Sequence, residues 1–185
     1  MLDLVNRARQ DPLAEAARLG IPLDDGLAPG SIDPRPMPPL AINPFLMEAA
    51  RAHSRWMLAT GQFGHCGVGG SDSTARIRAA GYPIGRSWRT GENISWSGNT
   101  GPLDLVAAIQ QHHDSLMRSP GHRINILTPQ FREIGIGQAA GHYVFGGVVY
   151  AASMITQDFA MSSASMPNFL PVPIDPMDGG DICYP

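Results

Sequence analysis

Residues 119–127 of the chain read SPGHRINIL, and this stretch predicts the start of a helix. Ser119 can accept hydrogen bonds from the free amides of a first helical turn, and Pro120 suits the first helical position because it has no N–H to lose. His122 then falls in the first turn, near the positive end of the helix dipole, which favours a neutral imidazole. Because a neutral imidazole can bind a metal or accept a proton, His122 is the first candidate site residue.

Length and composition bound the kinds of protein that this chain can be. With 185 residues, 43% of them hydrophobic, it is long enough for one domain with a core and short for two. A formal charge of −3 without a basic stripe argues against a nucleic-acid partner. The longest apolar run, 148–155, is too short to span a bilayer. The N-terminus lacks signal-peptide features, so cytoplasmic retention, a removed signal and another export route all stay open.

Helical patterns precede and surround the opening stretch. Residues 2–19 carry apolar side chains at helical spacing, with a break expected at Asp11-Pro12. Asn43-Pro44 opens another helix that Gly61 ends, and a short helix is expected from residue 72 or 73. A long helix is predicted to start within residues 99–102 and to carry His112 and His113, of which His113 is the better candidate to face inward.

The residue pattern changes from helical to alternating after this stretch. Glu133, Gly135 and Gly137 alternate with Ile134 and Ile136, which is typical of a strand. Residues 141–147 are expected to form a turn plus a strand, and 148–159 one or two more strands. Late strands with helices before and between them predict an α+β fold with a small antiparallel sheet. From residue 161 the chain is expected to be a Pro- and Asp-rich tail or the start of a further region.

In this order, the segments resemble the CAP superfamily (cysteine-rich secretory proteins, antigen five, pathogenesis-related proteins), or SCP domain, in its bacterial branch. The resemblance covers residues 1–160 and implies an α–β–α sandwich, with three or four antiparallel strands between helices and one cleft. It also implies an extracellular or periplasmic protein. The matching stretches are 4–9 (LVNRAR), 40–57, 63–65 (FGH), 76–82, 91–94 (GENI), 119–127, 131–137 and 156–159 (TQDF).

The family's cleft often carries two histidines and two glutamates. Carried over to this chain, the resemblance implies a divalent metal site, with Zn²⁺ first, at His65, His122, Glu92 and Glu133, the last being the weakest match. Leu116 stands where a Trp is usual, and the family's disulfide set is missing.

Several functions remain open for this cleft. A non-catalytic site could bind a metal or a small apolar ligand, with a small molecule, lipid or cell-envelope component as partner. A metal-dependent hydrolase would use Glu92 or Glu133 as general base together with His122. A structural interaction module, in which histidines and glutamates only fix the loops, is the third possibility.

Other chemistry-bearing residues have plainer interpretations. His53 is expected to be a core histidine, Arg123 to face outward or pair with an acid, and Asn125 to tie a loop. Cys66 and Cys183 can be free or paired with each other. Trp56, Trp88 and Trp96 are expected to pack against other side chains rather than to enclose a ligand. In the C-terminal tail, Asp175, Asp178 and Asp181 weakly resemble a calcium-binding loop, but their spacing is not that of an EF-hand.

Overall fold

A four-stranded sheet in the order β1-β3-β4-β2 forms the middle layer of the molecule. A computed structural model describes residues 1–165 of the chain. β3 pairs with β4 and β4 with β2 in antiparallel fashion, whereas the two-residue β1 pairs with β3 in parallel, so the sheet is mixed. The strands are β1 (Ala41–Ile42), β2 (Trp88–Asn99), β3 (Glu133–Phe145) and β4 (Val148–Ser162).

Helices cover both faces of this sheet, which confirms the predicted α+β fold with an α–β–α arrangement. α3 and α4 lie on one face, and α1, α5 and α6 on the other. Within residues 1–165 no helix is both long and apolar enough to cross a membrane. The helices are α1 (Leu2–Gln10), α2 (Pro12–Leu19), α3 (Pro44–Thr60), α4 (Ser73–Ala79), α5 (Leu105–Arg118) and α6 (Pro120–Ile126), with a 3₁₀ turn at Val68–Gly70.

Local capping chemistry sets most helix boundaries. Asp11 separates α1 from α2 and accepts from the amide of Ala14 at 3.0 Å. Asn43 caps α3 through bonds from the amides of Phe45 and Leu46, and Gly61 ends it with φ 70°. These boundaries are as predicted.

The predicted start of α5 is wrong, and the start of α6 is as predicted but lacks the expected side-chain cap bond. α5 begins at Leu105, where Asp104 accepts from the amides of residues 106 and 107, and residues up to Asn99 are still in β2. Ser119 precedes α6, but its hydroxyl makes no capping bond within the described residues.

α3 packs directly against the backbone of β3. A Cβ added at Gly135 would lie 2.0 Å from the carbonyl carbon of Leu46, and one at Gly137 would lie 2.2 Å from that of Ala50. Glycines at these alternate positions therefore allow the helix and the strand to approach each other closely. On the other face, side chains from α1, α5 and α6 fill the main core, together with Ile134, Phe131 and Phe159.

β2 and the β3–β4 hairpin differ from the sequence prediction. The sequence analysis predicts strands only from residue 133 onward, yet residues 91–94 form the middle of β2, which is an edge strand. β3 runs unbroken to Phe145, and the turn to β4 is Gly146-Gly147.

The C-terminal predictions fall largely outside the structure. Cys183 and the acids of the proposed calcium loop lie outside the described residues, and the domain boundary at residue 160 stays a prediction.

Candidate functional site

His65 and His122 meet at the edge of the sheet, from opposite layers. His65 lies in the loop between α3 and α4, and His122 in the first turn of α6. Their ring centroids are 6.5 Å apart and their planes are tilted by 43°. The side-chain amide of Asn93, on β2, donates to the backbone carbonyl of His122 at 3.1 Å and so holds α6 against the edge strand. Asn125 adds a bond to the Glu92 carbonyl and thus ties α6 to β2.

The buried carboxylate of Glu92 orients the His65 ring. Its Oε1 accepts from His65 Nδ1 at 2.8 Å, and its Oε2 accepts from Arg76 Nη2 at 2.6 Å. Burial acts to raise the pKa of Glu92, but the His65 bond and the Arg76 charge outweigh it and hold that pKa below its ordinary value. Glu92 therefore stays ionised, with both oxygens engaged.

Arg76 connects this carboxylate to the loop that carries His65. Its Nη1 donates to the carbonyls of His65 at 2.9 Å and Ser71 at 2.6 Å. One guanidinium on α4 therefore fixes both the backbone of the loop and the acid that orients the ring.

Asp158 lies beside Glu92 on the neighbouring strand β4, as its register partner. It is fully buried, and neither carboxyl oxygen has a hydrogen-bond partner within residues 1–165. Burial, reinforced by the Glu92 charge, raises its pKa well above the ordinary value, so Asp158 is neutral. A neutral acid beside an ionised one avoids repulsion between two buried carboxylates.

His53 completes this polar cluster from α3. It is 1% exposed, and its Nε2 donates to the Gly64 carbonyl at 2.9 Å, while burial lowers its pKa. The expectation of a core histidine is confirmed for its burial, although Nδ1 has no partner within residues 1–165. Its ring stacks on Trp56 at 5.7 Å.

A cavity of about 270 Å³ lies between α3 and α4 and shares His53 and Arg76 with this cluster. The rest of its lining includes the apolar side chains of Ala49, Trp56 and Ala79. The polar cluster therefore lines one side of a cavity whose other side chains are mostly apolar.

Glu133 is the predicted site residue that the structure places elsewhere. It begins β3, which β4 separates from β2. Its carboxylate accepts from the Tyr82 hydroxyl at 2.5 Å and from the Asn43 side-chain amide at 2.7 Å. It therefore connects the start of α3 to the segment after α4. The structure brings together His65, Glu92 and His122, and Glu133 is apart from them.

A second acidic and imidazole group occurs between α2 and α5. Glu15, His113 and Asp114 are the one set of three possible ligands in residues 1–165 whose ligand atoms lie within 4.8 Å of one another. Glu15, however, also accepts from Arg7 and Arg18, and these bonds with that from His113 lower its pKa to about 2 despite burial. Bound arginines already neutralise the acids, so this group is an ion-pair network.

The prediction that His113 faces inward is confirmed, and His112 is buried as well. His113 donates toward Glu15 at 2.8 Å, whereas His112 faces the sheet and contacts Ser95 and Ser153, each at 3.0 Å. α5 lies between the sheet and α2, and both of these sides exclude water.

Arg123 is fully buried, which corrects the expectation that it faces outward or pairs with an acid. It donates to the backbone carbonyls of Met117, at 2.8 Å, and of Asp25. Burial lowers its pKa. It ties the end of α5 to the loop of residues 20–40.

Sequence reasoning did not select Arg76, Asp158 or Glu15 as buried polar residues. The spacing offered a signal for two of them. Asp158 alternates with Thr156 and Ala160 on an inward face, and Glu15 precedes buried Leu19 by four residues in a helix. Arg76 has no comparable local signal.

The sequence profile of the cysteine-rich secretory protein family, CAP, matches residues 2–150. The chain belongs to the CAP family. No curated protein sequence shows detectable similarity to this CAP-family chain.

Solved structures similar to this CAP domain include three proteins. An extracellular SCP-domain protein of Bacillus anthracis is 26% identical with a TM-score of 0.47, and the match covers 66% of this chain and 34% of that one, so this chain spans about a third of that protein. An outer surface protein of Borrelia burgdorferi is 15% identical over 68% of this chain and 80% of that one, with a TM-score of 0.47. NaASP2, in a structure with Zn²⁺, is 14% identical over 85% and 75%, with a TM-score of 0.49.

Proposed function

We propose that this CAP-domain protein binds a divalent first-row metal ion, Zn²⁺ first, through His65 and His122, and that it acts by binding rather than turnover. The observation that supports it is the approach of the two rings to 6.5 Å, one of them oriented by a buried carboxylate. In line with the family, we place its work in an extracellular or periplasmic setting.

The donor set fits such an ion. With Zn–N distances of about 2.0–2.1 Å, two imidazoles on one ion have centroids roughly 5–6 Å apart, so a modest ring rotation is enough. His65 gives Nδ1 to Glu92, which makes Nε2 the nitrogen that would ligate, and metal-binding histidines commonly have such a carboxylate partner. Glu92 would orient the ligand rather than join the ion, because Arg76 holds its second oxygen. A bound ion would supply Lewis acidity and open coordination positions.

The state of the carboxylates favours binding over hydrolysis. A general base needs an oxygen within reach of the proton it removes. Both oxygens of Glu92 are engaged by His65 and Arg76, and Glu133 is held by Tyr82 and Asn43. The hydrolase and the structural module are therefore the alternatives that the test must separate. If a small apolar ligand also binds, the cavity between α3 and α4 is the place that we assign to it.

Zinc titration of purified protein tests the metal site directly. We expect His65→Ala and His122→Ala each to weaken zinc binding on the order of tenfold or more, because each removes one of two nitrogen ligands. His142→Ala, at an exposed histidine on β3, is the matched control and should bind as the wild type does. Unfolding temperatures measured without metal show whether the variants stay folded.

The remaining outcomes separate the three functions. Equal zinc affinity in all four proteins would refute the site. Zinc-dependent peptide hydrolysis that is lost in either cleft variant would favour the enzyme. A lower unfolding temperature in both cleft variants, with no zinc binding by the wild type, would favour the structural module.

A further inference from the structure

The β3–β4 hairpin extends beyond the rest of the sheet. β2 ends at Asn99, whose register partner on β4 is Ala151, and Ala151 pairs with His142 on β3. Residues 143–150, which we call the tip, therefore form a two-stranded ribbon. Gly146 and Gly147 close it with φ of 58° and 79°, a left-handed turn that glycine accepts without strain.

The tip exposes large apolar side chains on both of its faces. Val144 and Val149 are register partners on one face and are 60% and 55% exposed. Phe145 and Val148 are partners on the other face and are 56% and 42% exposed. A single flat protein surface could cover one of these pairs and leave the other in water. An apolar fluid phase that surrounds the ribbon would cover both pairs.

Aromatic residues with polar edges gather at the base of the tip. The Trp96 ring lies 5.7 Å from that of Tyr150, and both residues are partly exposed, whereas Tyr143, whose ring is 5.0 Å from that of Trp96, is buried beneath them. Trp and Tyr favour the boundary between water and lipid, where an apolar ring body and a polar N–H or O–H are both accommodated. The apolar end followed by this aromatic base matches the layering of a bilayer surface.

The charge pattern agrees with lipid as the partner. From residue 134 to residue 157 the sequence contains no Asp, Glu, Lys or Arg. Insertion of the tip would thus desolvate no ionised side chain, which is the largest cost of entering a bilayer. The tip backbone groups that face across the ribbon are already paired within the hairpin.

We infer that the tip docks this protein on a lipid bilayer, with Val144, Phe145, Val148 and Val149 at the boundary of headgroups and acyl chains. The interaction is apolar and does not depend on the metal proposed for the cleft. Burial of four apolar side chains gives reversible surface attachment, comparable to shallow amphipathic anchors.

Vesicle co-sedimentation tests this docking. The probes are vesicles of phosphatidylcholine alone and of phosphatidylcholine with phosphatidylglycerol. We expect the wild type to bind both, with little effect of salt, and Val144→Thr with Val149→Thr to bind on the order of tenfold less. These substitutions keep β-branched shape at exposed positions. Leu13→Thr, at a residue that is 56% exposed on α2, is the matched control and should bind as the wild type does.

Four results would overturn the inference. They are failure of the wild type to bind either vesicle, binding that requires phosphatidylglycerol and disappears in salt, equal binding by wild type and tip variant, and equal loss in the control. A concentration-dependent dimer that the tip variant abolishes, without vesicle binding, would identify a second copy of the chain as the occupant. Binding that persists in His65→Ala would show that this site is separate from the cleft.

Discussion

Two buried polar clusters lie back to back on the two faces of the sheet, and they are built differently. On the α3 face, Glu92 is ionised and held by Arg76 and His65. On the α5 face, His112 contacts the hydroxyls of Ser95 and Ser153, and burial lowers its pKa to about 4, so the cluster is neutral. The charged cluster adjoins the cleft that contains His65 and His122, and the neutral cluster is enclosed between α5 and the sheet. Ionised side chains therefore hold the His65 ring near the surface, whereas the serine hydroxyls are sufficient partners for the His112 ring inside the core.

The sharpest way to break the charged cluster is to remove its cation. We expect Arg76→Met to lower the free energy of unfolding by about 3–5 kcal/mol, because Glu92 would be left buried beside Asp158 without a counter-charge. The variant also loses donors to the carbonyls of His65 and Ser71. Urea denaturation measures the change.

Arg78→Met is the matched control in the same helix. Arg78 is exposed and contacts the Trp88 ring at 5.0 Å, so we expect a loss below about 1 kcal/mol. Similar losses in both variants would mean that the buried ion pairs add nothing beyond a surface contact.

The backbone of the α3 face should be almost as sensitive. Gly137→Ala places a methyl group 2.2 Å from α3 backbone atoms, which cannot move as a side chain does. We expect a loss of about 3 kcal/mol, at the upper end for overpacking, measured by the same denaturation.

Gly141→Ala provides the comparison within the same strand and on the same face. Its new methyl group would meet the side chain of Leu58 at 3.1 Å, and this side chain can rotate away. We expect a loss below about 1 kcal/mol there. A tolerated Gly137→Ala would show that α3 and β3 can separate without cost.

The stability that the neutral cluster contributes should depend on pH through His112. His112 has its pKa lowered to about 4 in the folded protein, below the ordinary value of about 6.5, so unfolded chains bind more protons between these values. Its contribution is complete above pH 6.5 and is lost as the pH falls toward 4. Between pH 7 and pH 5 the loss from this residue should be about 2 kcal/mol.

His112→Gln removes this titration while keeping a polar side chain. Denaturation at the two pH values should show a stability loss smaller by about 2 kcal/mol than in the wild type. Ser153→Ala, which removes hydrogen bonds to His112 and Gln138 and no titrating group, should lower stability by about 1–2 kcal/mol, equally at both pH values. An unchanged pH dependence in His112→Gln would mean that the ring takes up its proton at the same pH in the folded and the unfolded chain.

Local chemistry explains which parts of the fold the sequence predicts. Caps such as Asn43 and Asp11 act within three residues, so their pattern is visible in the chain. β2 was not predicted because polar residues lie on both of its faces. Glu92 belongs to the charged cluster and Asn93 contacts Gln157 on the opposite face, so the strand lacks the usual alternation of polar and apolar residues. Asn99 looked like a helix cap because its pairing partner, Ala151, is distant in sequence.

The candidate site shows the same division between local and distant information. The family resemblance identified His65, Glu92 and His122, which the structure brings together. Glu133 was grouped with them, but strand order, which no local pattern contains, places β4 between its strand and that of Glu92. Arg123 looked like a surface residue because its partners are backbone carbonyls, which leave no mark in the sequence.

The use of both faces of β2 has a consequence for how this chain can vary in length. Successive residues of the strand belong to opposite clusters, so gaining or losing one residue would send the carboxylate of Glu92 toward α5 and the side chain of Asn93 toward α3. After such an insertion in β2, residues that now face the charged cluster would face the neutral cluster, and the reverse. The loop of residues 20–40 has no such alternation, and changes in chain length should accumulate there instead.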